Sequence, residues 1–90
     1  MSEINSIGLI ELSSVATGYG VEDTMLKAGN IQLLMARSIC SGKFLIVVAG
    51  DVTSVQAAVA AGSKIAGDDG MLVGRAVIPA PSPELFRDYI

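Results

Sequence analysis

The sequence contains no histidine, no tryptophan and a single cysteine, Cys40. The absence of histidine excludes Ser-His-Asp and Cys-His catalysis and every zinc site that uses an imidazole ligand. Cys40 has no partner for an intrachain disulfide, so we expect a reduced thiol. No other nucleophile is paired with a base in a recognisable motif. These absences predict a protein that is not an enzyme in its own right.

Long hydrophobic runs and clusters of positive charge are also missing. No stretch approaches the ~18 to 20 apolar residues that are needed to cross a bilayer. The net charge is -3 and the six Lys and Arg residues are scattered, so the chain lacks the basic stripe of a nucleic-acid-binding domain. Residues 1–4 do not resemble the start of a secretory signal. We therefore expect a cytoplasmic protein that binds neither membrane nor nucleic acid.

Apolar side chains are abundant for so short a chain. Ninety residues predict a single domain, residues 1–90, with one small core. The hydrophobic fraction is nevertheless 51% while aromatic residues make up only 4%. The surplus of Ala, Val, Ile and Leu exceeds what such a core holds, which predicts apolar interfaces between copies of the chain.

The first third of the chain predicts a strand followed by a helix. Residues 4–12 form a mostly apolar run with β-branched side chains, which is typical of a largely buried strand. Residues 13–30 place apolar side chains at helical spacing after a serine N-cap. Gly18 and Gly20 weaken the first turn by about 1 kcal/mol each relative to alanine, which leaves Gly20 as an alternative start.

The middle of the chain predicts a hairpin and a second helix. Residues 31–39 and 43–50 are strand-like, and the connection 40–42 contains the glycine that a tight turn favours. Asp51 is a good N-cap for residues 52–67, whose apolar positions recur at helical spacing along a stripe of small side chains. This helix is expected to lie close against a sheet.

The last third predicts a turn and a strand. Residues 67–70 have turn composition, and residues 71–78 read as a strand that Pro79 ends. Residues 84–90 are predicted to form one helical turn. The order β-α-β-β-α-β indicates an α+β, ferredoxin-like fold with both helices on one face of an antiparallel sheet. This superfold hosts many functions, so the fold does not by itself assign one.

Four segments, in this order, span nearly the whole chain: SIGLIEL, EDTMLKAGNIQLL, SICSGKFLIVVAGDVTSVQAAVAAG and VIPAPSPEL. Together they resemble the shell-protein domain of bacterial microcompartments, the BMC domain. The resemblance implies a structural protein that forms a hexameric, disc-like tile. Such tiles pack edge to edge with other shell proteins around encapsulated enzymes.

The resemblance also implies a pore at the centre of the tile, through which metabolites pass. The residues that match the family's pore-lining loop are Ile39, Cys40, Ser41, Gly42 and Lys43. Cysteine in this loop is similar to the iron-sulfur-binding shell proteins of propanediol-utilisation compartments, which are tandem-domain trimers. A comparable site occurs in single-domain shell proteins of glycyl-radical compartments. The resemblance thus implies an iron-sulfur cluster at the symmetry axis, bound through Cys40 and used for electron transfer.

Simpler interpretations of the same loop stay open. An iron-sulfur cluster normally requires four ligands, mostly cysteines, so one Cys40 is insufficient unless ring symmetry gathers several. Cys40 is otherwise a free thiol that lines a pore or a small residue in a tight turn. Lys43 would add positive charge to the pore, or it is an ordinary solvated cation at the start of a strand.

A second set of residues matches the edge at which tiles of this family meet. Lys27 matches the family's edge lysine, although a cation in the last turn of a helix also interacts favourably with the helix dipole. Pro79 and Ala80 belong to the same predicted edge. Here the sequence departs from the family, because Ala80 replaces an arginine between two prolines and Ser82 replaces the following histidine.

The fold class also supports a function of another kind. Small ferredoxin-like domains often act as regulatory modules that bind a small ligand between subunits. The two hypotheses differ in assembly, because a shell tile forms hexamers and sheets whereas a ligand sensor stops at a small oligomer. A sensor would also gain thermal stability with its ligand.

Overall fold

The structure, a computed structural model, describes residues 4–40 and 42–79. Its elements are β1 (Ser6–Leu12), α1 (Val15–Ala28), β2 (Gln32–Cys40), β3 (Lys43–Gly50), α2 (Val52–Asp68) and β4 (Leu72–Pro79). The strands form one antiparallel sheet in the order β2-β3-β1-β4. The predicted α+β class and the order β-α-β-β-α-β are confirmed.

The first helix begins at Val15, and the alternative start at Gly20 is wrong. The hydroxyl of Ser14 accepts a hydrogen bond from the backbone N–H of Thr17 at 3.2 Å, which caps the first turn. Gly18 is buried within this turn, where a Cβ atom would lie 2.4 Å from the ring of Phe44. Tertiary packing against Phe44 therefore compensates for the low helix propensity of glycine.

The second helix begins where the sequence predicts and ends slightly later. The Asp51 carboxylate accepts a hydrogen bond from the backbone N–H of Ser54 at 2.9 Å, as expected of an N-cap. The predicted four-residue turn is wrong at its start, because α2 continues through Asp68. The backbone N–H of Asp69 donates to the carbonyl of Ile65 at 3.1 Å, and the turn itself falls at Gly70, whose φ of 71° is left-handed.

The strand ends differ from the predicted ones by one or two residues. Cys40 belongs to β2 and pairs with Lys43, so the hairpin connection has two residues rather than three. Pro79 is the last residue of β4 and lies opposite Ser6, so the strand does not stop before it. Proline is tolerated there because β4 is an edge strand. The helical turn predicted for residues 84–90 lies outside the described residues.

The main core lies between the two helices and one face of the sheet. α1 packs mainly on β2 and β3, and α2 packs on β1 and β4. A Cβ atom on Gly62 would lie 2.7 Å from Met25, so the small side chains of α2 permit the close approach that the sequence predicts. Within the described residues, neither helix is long and apolar enough to cross a membrane. The buried residues of this core are Ile10, Leu12, Val21, Met25, Phe44, Ile46, Val48, Val55, Ala58, Val59 and Ala66.

Candidate functional site

The hairpin between β2 and β3 brings the predicted loop residues together at one end of the sheet. Cys40, the last residue of β2, is exposed and its thiol is free. Gly42 has a φ of 75°, in the left-handed region that a two-residue hairpin turn requires. Ile39 and Lys43 flank the turn, and Ile39 is exposed despite its apolar side chain. Ser41 lies outside the described residues.

Lys43 is not an isolated charge. Its Nζ lies 3.7 Å from Oε2 of Glu11, and the two side chains are 43% and 32% exposed. A pair with this separation and exposure contributes at most about 1 kcal/mol to stability. Sequence reasoning missed it, although the β1–β3 register could have indicated it. Glu11 lies opposite Leu45, which makes Lys43 its diagonal neighbour across the strands.

One chain does not form a metal centre in the part that the structure describes. No group of three or more His, Cys, Asp or Glu side chains is placed to hold an ion within residues 4–40 and 42–79. Cys40 is the chain's only sulfur donor for an iron-sulfur cluster, which normally takes four protein ligands. The exposed position of Cys40 at a hairpin end fits a cluster only if several copies of the chain contribute their thiolates.

The predicted edge residues lie at the other end of the molecule. Lys27 is in the last turn of α1, and its Nζ lies 2.9 Å from Oδ2 of Asp23. The hydrogen bond from Lys27 to Asp23 and the negative charge of that carboxylate raise the pKa of Lys27 above its ordinary value. Pro79 is exposed at the end of β4. Ala80 lies outside the described residues.

The strand register fixes the distance between the hairpin loop around Cys40 and the edge residues Lys27 and Pro79. At the edge end, Ser6 of β1 lies opposite both Gly50 and Pro79. At the hairpin end, Leu12 lies opposite Phe44, the residue that follows Lys43. Strands of seven to nine residues at about 3.4 Å per residue therefore place the groups about 20 to 30 Å apart.

An open groove lies between α2 and β4. Its described lining includes neither the hairpin residues around Cys40 nor the edge residues Lys27 and Pro79. Its volume is about 300 Å³, and Arg75 supplies the only charged side chain among the described lining residues. The other lining residues are Gln56, Val59, Ala60, Ala76 and Val77. No sequence motif predicted this groove, because its walls come from positions distant in the chain.

Comparison with known protein families gives a match that covers most of the chain. The family model described as the BMC domain matches residues 6–81. The match thus includes both the hairpin loop and the predicted edge residues.

Several curated proteins are similar over nearly all of this chain. The bacterial microcompartment shell protein PduT of Citrobacter freundii is 49% identical over 74 residues, which cover 82% of this chain and 39% of PduT. EutK of Salmonella typhimurium, also a bacterial microcompartment shell protein, is 35% identical, with coverage of 90% of this chain and 49% of EutK. The chain thus spans half or less of the length of these two relatives. The shell protein PduA of Citrobacter freundii is 31% identical, with coverage of 91% and 88%.

A solved structure shares the fold. It is the crystal structure of a microcompartment protein from Desulfitobacterium hafniense DCB, which superposes with a TM-score of 0.86 at 36% sequence identity. The match covers 92% of this chain and 45% of the other. The sheet order and both helices described above therefore agree with an experimentally determined architecture.

Proposed function

Since the chain belongs to the BMC domain family of bacterial microcompartment shell proteins, we propose that it forms a hexameric shell tile with the Cys40 loop around a central pore. The observation that carries this proposal is the placement of the hairpin loop and the edge residues at opposite ends of one sheet. The role is structural and requires no catalytic group.

The geometry of one chain suits a ring. If copies are arranged around an axis beside the hairpin, their Cys40 loops meet at the centre. Lys27 and Pro79, about 20 to 30 Å away along the strands, then lie at the rim. A rim position is where one tile meets the next, so the same arrangement accounts for both groups of residues.

The sides of the chain can form the contacts within such a ring. A ring of identical copies uses heterologous contacts, in which one surface of a copy meets a different surface of its neighbour. The sheet ends in two edge strands, β2 and β4, whose outer backbone groups have no partner strand among the described residues. β4 also exposes Val73, which is 48% accessible. These edges are natural candidates for the lateral contacts.

In the cell, we expect the tile to lie in the shell of a cytoplasmic compartment, next to other shell proteins and outside the encapsulated enzymes. Its pore would admit small metabolites. Lys43 lies 3.7 Å from Glu11, so each copy would bring one positive and one negative side chain to the region beside the axis. The family match favours this role over a small-ligand regulatory module.

The mass of the native assembly tests the tile. Light scattering coupled to size exclusion is expected to give six chain masses for the purified protein, with larger sheets or tubes at higher concentration. A dimer whose melting temperature rises with small metabolites would contradict the tile and support the regulatory module. A trimer would contradict six identical copies.

A second candidate function rests on the exposed thiol of Cys40. In the proposed ring, several Cys40 side chains would meet at the axis, where they could together hold an iron-sulfur cluster. Such a cluster would supply one-electron transfer across the shell. The loop amide of Gly42 would be placed to donate a hydrogen bond toward the sulfur atoms, which tunes the reduction potential.

The visible spectrum of anaerobically purified protein tests the cluster. We expect a brown protein with broad absorption, and we expect Cys40→Ser to lose the colour while it keeps the mass of the ring. Ile39→Ala is the matched control, since it alters the adjacent exposed side chain and leaves the thiol in place. Colour that persists in Cys40→Ser would exclude this residue as the ligand. A colourless hexamer would leave the pore tile intact and remove the cluster.

A further inference from the structure

The sheet face that points away from both helices carries charged side chains at its hairpin end. A Cβ atom on Gly8 would lie 2.8 Å from Val55 of α2, so Gly8 faces the helices. Because side chains alternate along a strand, Glu11 of β1 lies on the other face. Leu45 is opposite Glu11, and Arg37 is opposite Leu45. Residues that pair directly share a face, so these three form one row across β1, β3 and β2.

Glu11 directs the charge of Lys43 away from Cys40. Cys40 is the residue of β2 that pairs with Lys43 of β3. β3 lies between β2 and β1, so Cys40 and Glu11 are on opposite sides of Lys43. The Nζ atom of Lys43 is 3.7 Å from Oε2 of Glu11, which means that the side chain extends toward β1. The ammonium group is therefore paired on the side of β3 that is farther from the thiol.

Arg37 brings a second positive charge to the same face. Its side chain is exposed, and it forms no ion pair with another described residue. It lies on β2, the strand that ends at Cys40. The row at the hairpin end thus combines two cations, Arg37 and Lys43, with the carboxylate of Glu11. Only Lys43 is close enough to Glu11 to form an ion pair with it.

We propose that Glu11 is a specificity-determining residue of the pore, an inference that rests on the tile proposed above. Rings of charged side chains decide which ions enter a channel. In a ring of six copies, Glu11 would neutralise Lys43 and leave Arg37 as the unpaired cation of each chain. Without the carboxylate, both cations would attract solutes at the mouth of the pore. Glu11 thereby limits the attraction of the pore for small anions such as carboxylates and phosphates.

The exposed thiol of Cys40 is a built-in probe of the charge at this mouth. Its rate of reaction is measured with two methanethiosulfonate reagents of similar size, one with a sulfonate and one with a trimethylammonium group. A chelator first removes any bound metal. The ratio of the anionic to the cationic rate rises with the positive potential around the thiol. We expect Glu11→Gln to raise this ratio about fivefold at low ionic strength and much less at about 1 M salt, which screens exposed charges.

Two further variants serve as controls, and light scattering on each variant shows whether the ring is present. Lys43→Gln is expected to lower the ratio, since it leaves the carboxylate of Glu11 unopposed. Glu22→Gln removes the same charge from α1, on the other side of the sheet, and is expected to leave the ratio unchanged. A ring with equal ratios in Glu11→Gln and Glu22→Gln overturns this inference alone. Protein that forms no ring overturns the tile and, with it, the role of Glu11 in a pore.

Discussion

At the scale of single residues, Gly18 and Gly20 of α1 show that the surrounding side chains decide whether a methyl group can replace the glycine hydrogen. A Cβ atom on Gly18 would lie 2.4 Å from the ring of Phe44. A Cβ atom on Gly20 would meet nothing within 4 Å. Both residues lie within the helix, so they share the same backbone cost and differ only in what their side chain would contact.

This contrast predicts opposite effects of the same substitution. Gly18→Ala is expected to destabilise the fold by about 1 to 3 kcal/mol, because Phe44 must move to admit the methyl group. Gly20→Ala is expected to stabilise it by about 0.5 to 1 kcal/mol, since alanine has the higher helix propensity. Urea denaturation of both variants, compared with the unaltered chain, measures the difference. Stabilisation by both substitutions would show that the ring of Phe44 adapts freely.

At the scale of elements, the start of α2 depends on one carboxylate. Asp51 accepts hydrogen bonds from the backbone N–H of Ser54 at 2.9 Å and from its hydroxyl at 3.1 Å. The backbone hydrogen bond from Ser54, followed by that from its side chain, lowers the pKa of Asp51 below its ordinary value. The folded state therefore stabilises the ionised form of the Asp51 carboxyl group relative to its protonated form.

This shift predicts a pH dependence. The pKa of Asp51 is lower in the folded than in the unfolded chain, so its ionised form adds to the free energy of unfolding. This contribution is complete above the unfolded pKa of about 4 and is lost as the pH falls through the folded pKa. Asp51→Asn keeps an N-cap without a titrating group. We expect the unaltered chain to melt above Asp51→Asn at pH 6 and the difference to shrink below pH 4. A difference in melting temperature that stays constant from pH 6 to pH 2 would contradict this explanation.

At the scale of the whole molecule, the proposed tile gives the two ends of the sheet different roles. The edge end would contact neighbouring tiles, and the hairpin end would surround the pore. Lys27 and Lys64 each form an i,i+4 ion pair, with Asp23 at 2.9 Å and with Asp68 at 3.3 Å, and their side chains are 75% and 77% exposed. They are thus closely matched in local chemistry. Lys27 lies near the edge end of the sheet, whereas Lys64 lies in the last two turns of α2, towards the hairpin end.

We therefore expect Lys27→Ala to leave the mass of the ring unchanged and to abolish the larger sheets. Lys64→Ala is expected to leave both intact, since it removes an equivalent ion pair away from the rim. Light scattering measures the ring, and negative-stain electron microscopy at high protein concentration shows the sheets. If both variants form sheets as readily as the unaltered chain, Lys27 makes no necessary contact between tiles.

The sequence by itself determined the elements and their order, because the signals involved are local. The serine and aspartate caps, the helical spacing of apolar residues and the glycine of the hairpin turn act over a few residues and are readable one segment at a time. The resemblance to the BMC domain rested on four such segments, and the family match to residues 6–81 confirms it. Predicted ends nevertheless differed by one to a few residues, as at Asp68 and Pro79.

The tertiary structure alone decided what depends on register and packing. Three features depend on positions far apart in the sequence. They are the contact of Lys43 with Glu11, the approach of the Phe44 ring to Gly18 and the complete burial of Val47 in a central strand. The separation of the Cys40 loop from Lys27 likewise follows from how β1, β2 and β3 pair. Such contacts are set by the alignment of whole strands and by the volume between layers, and no local pattern of residues specifies either quantity.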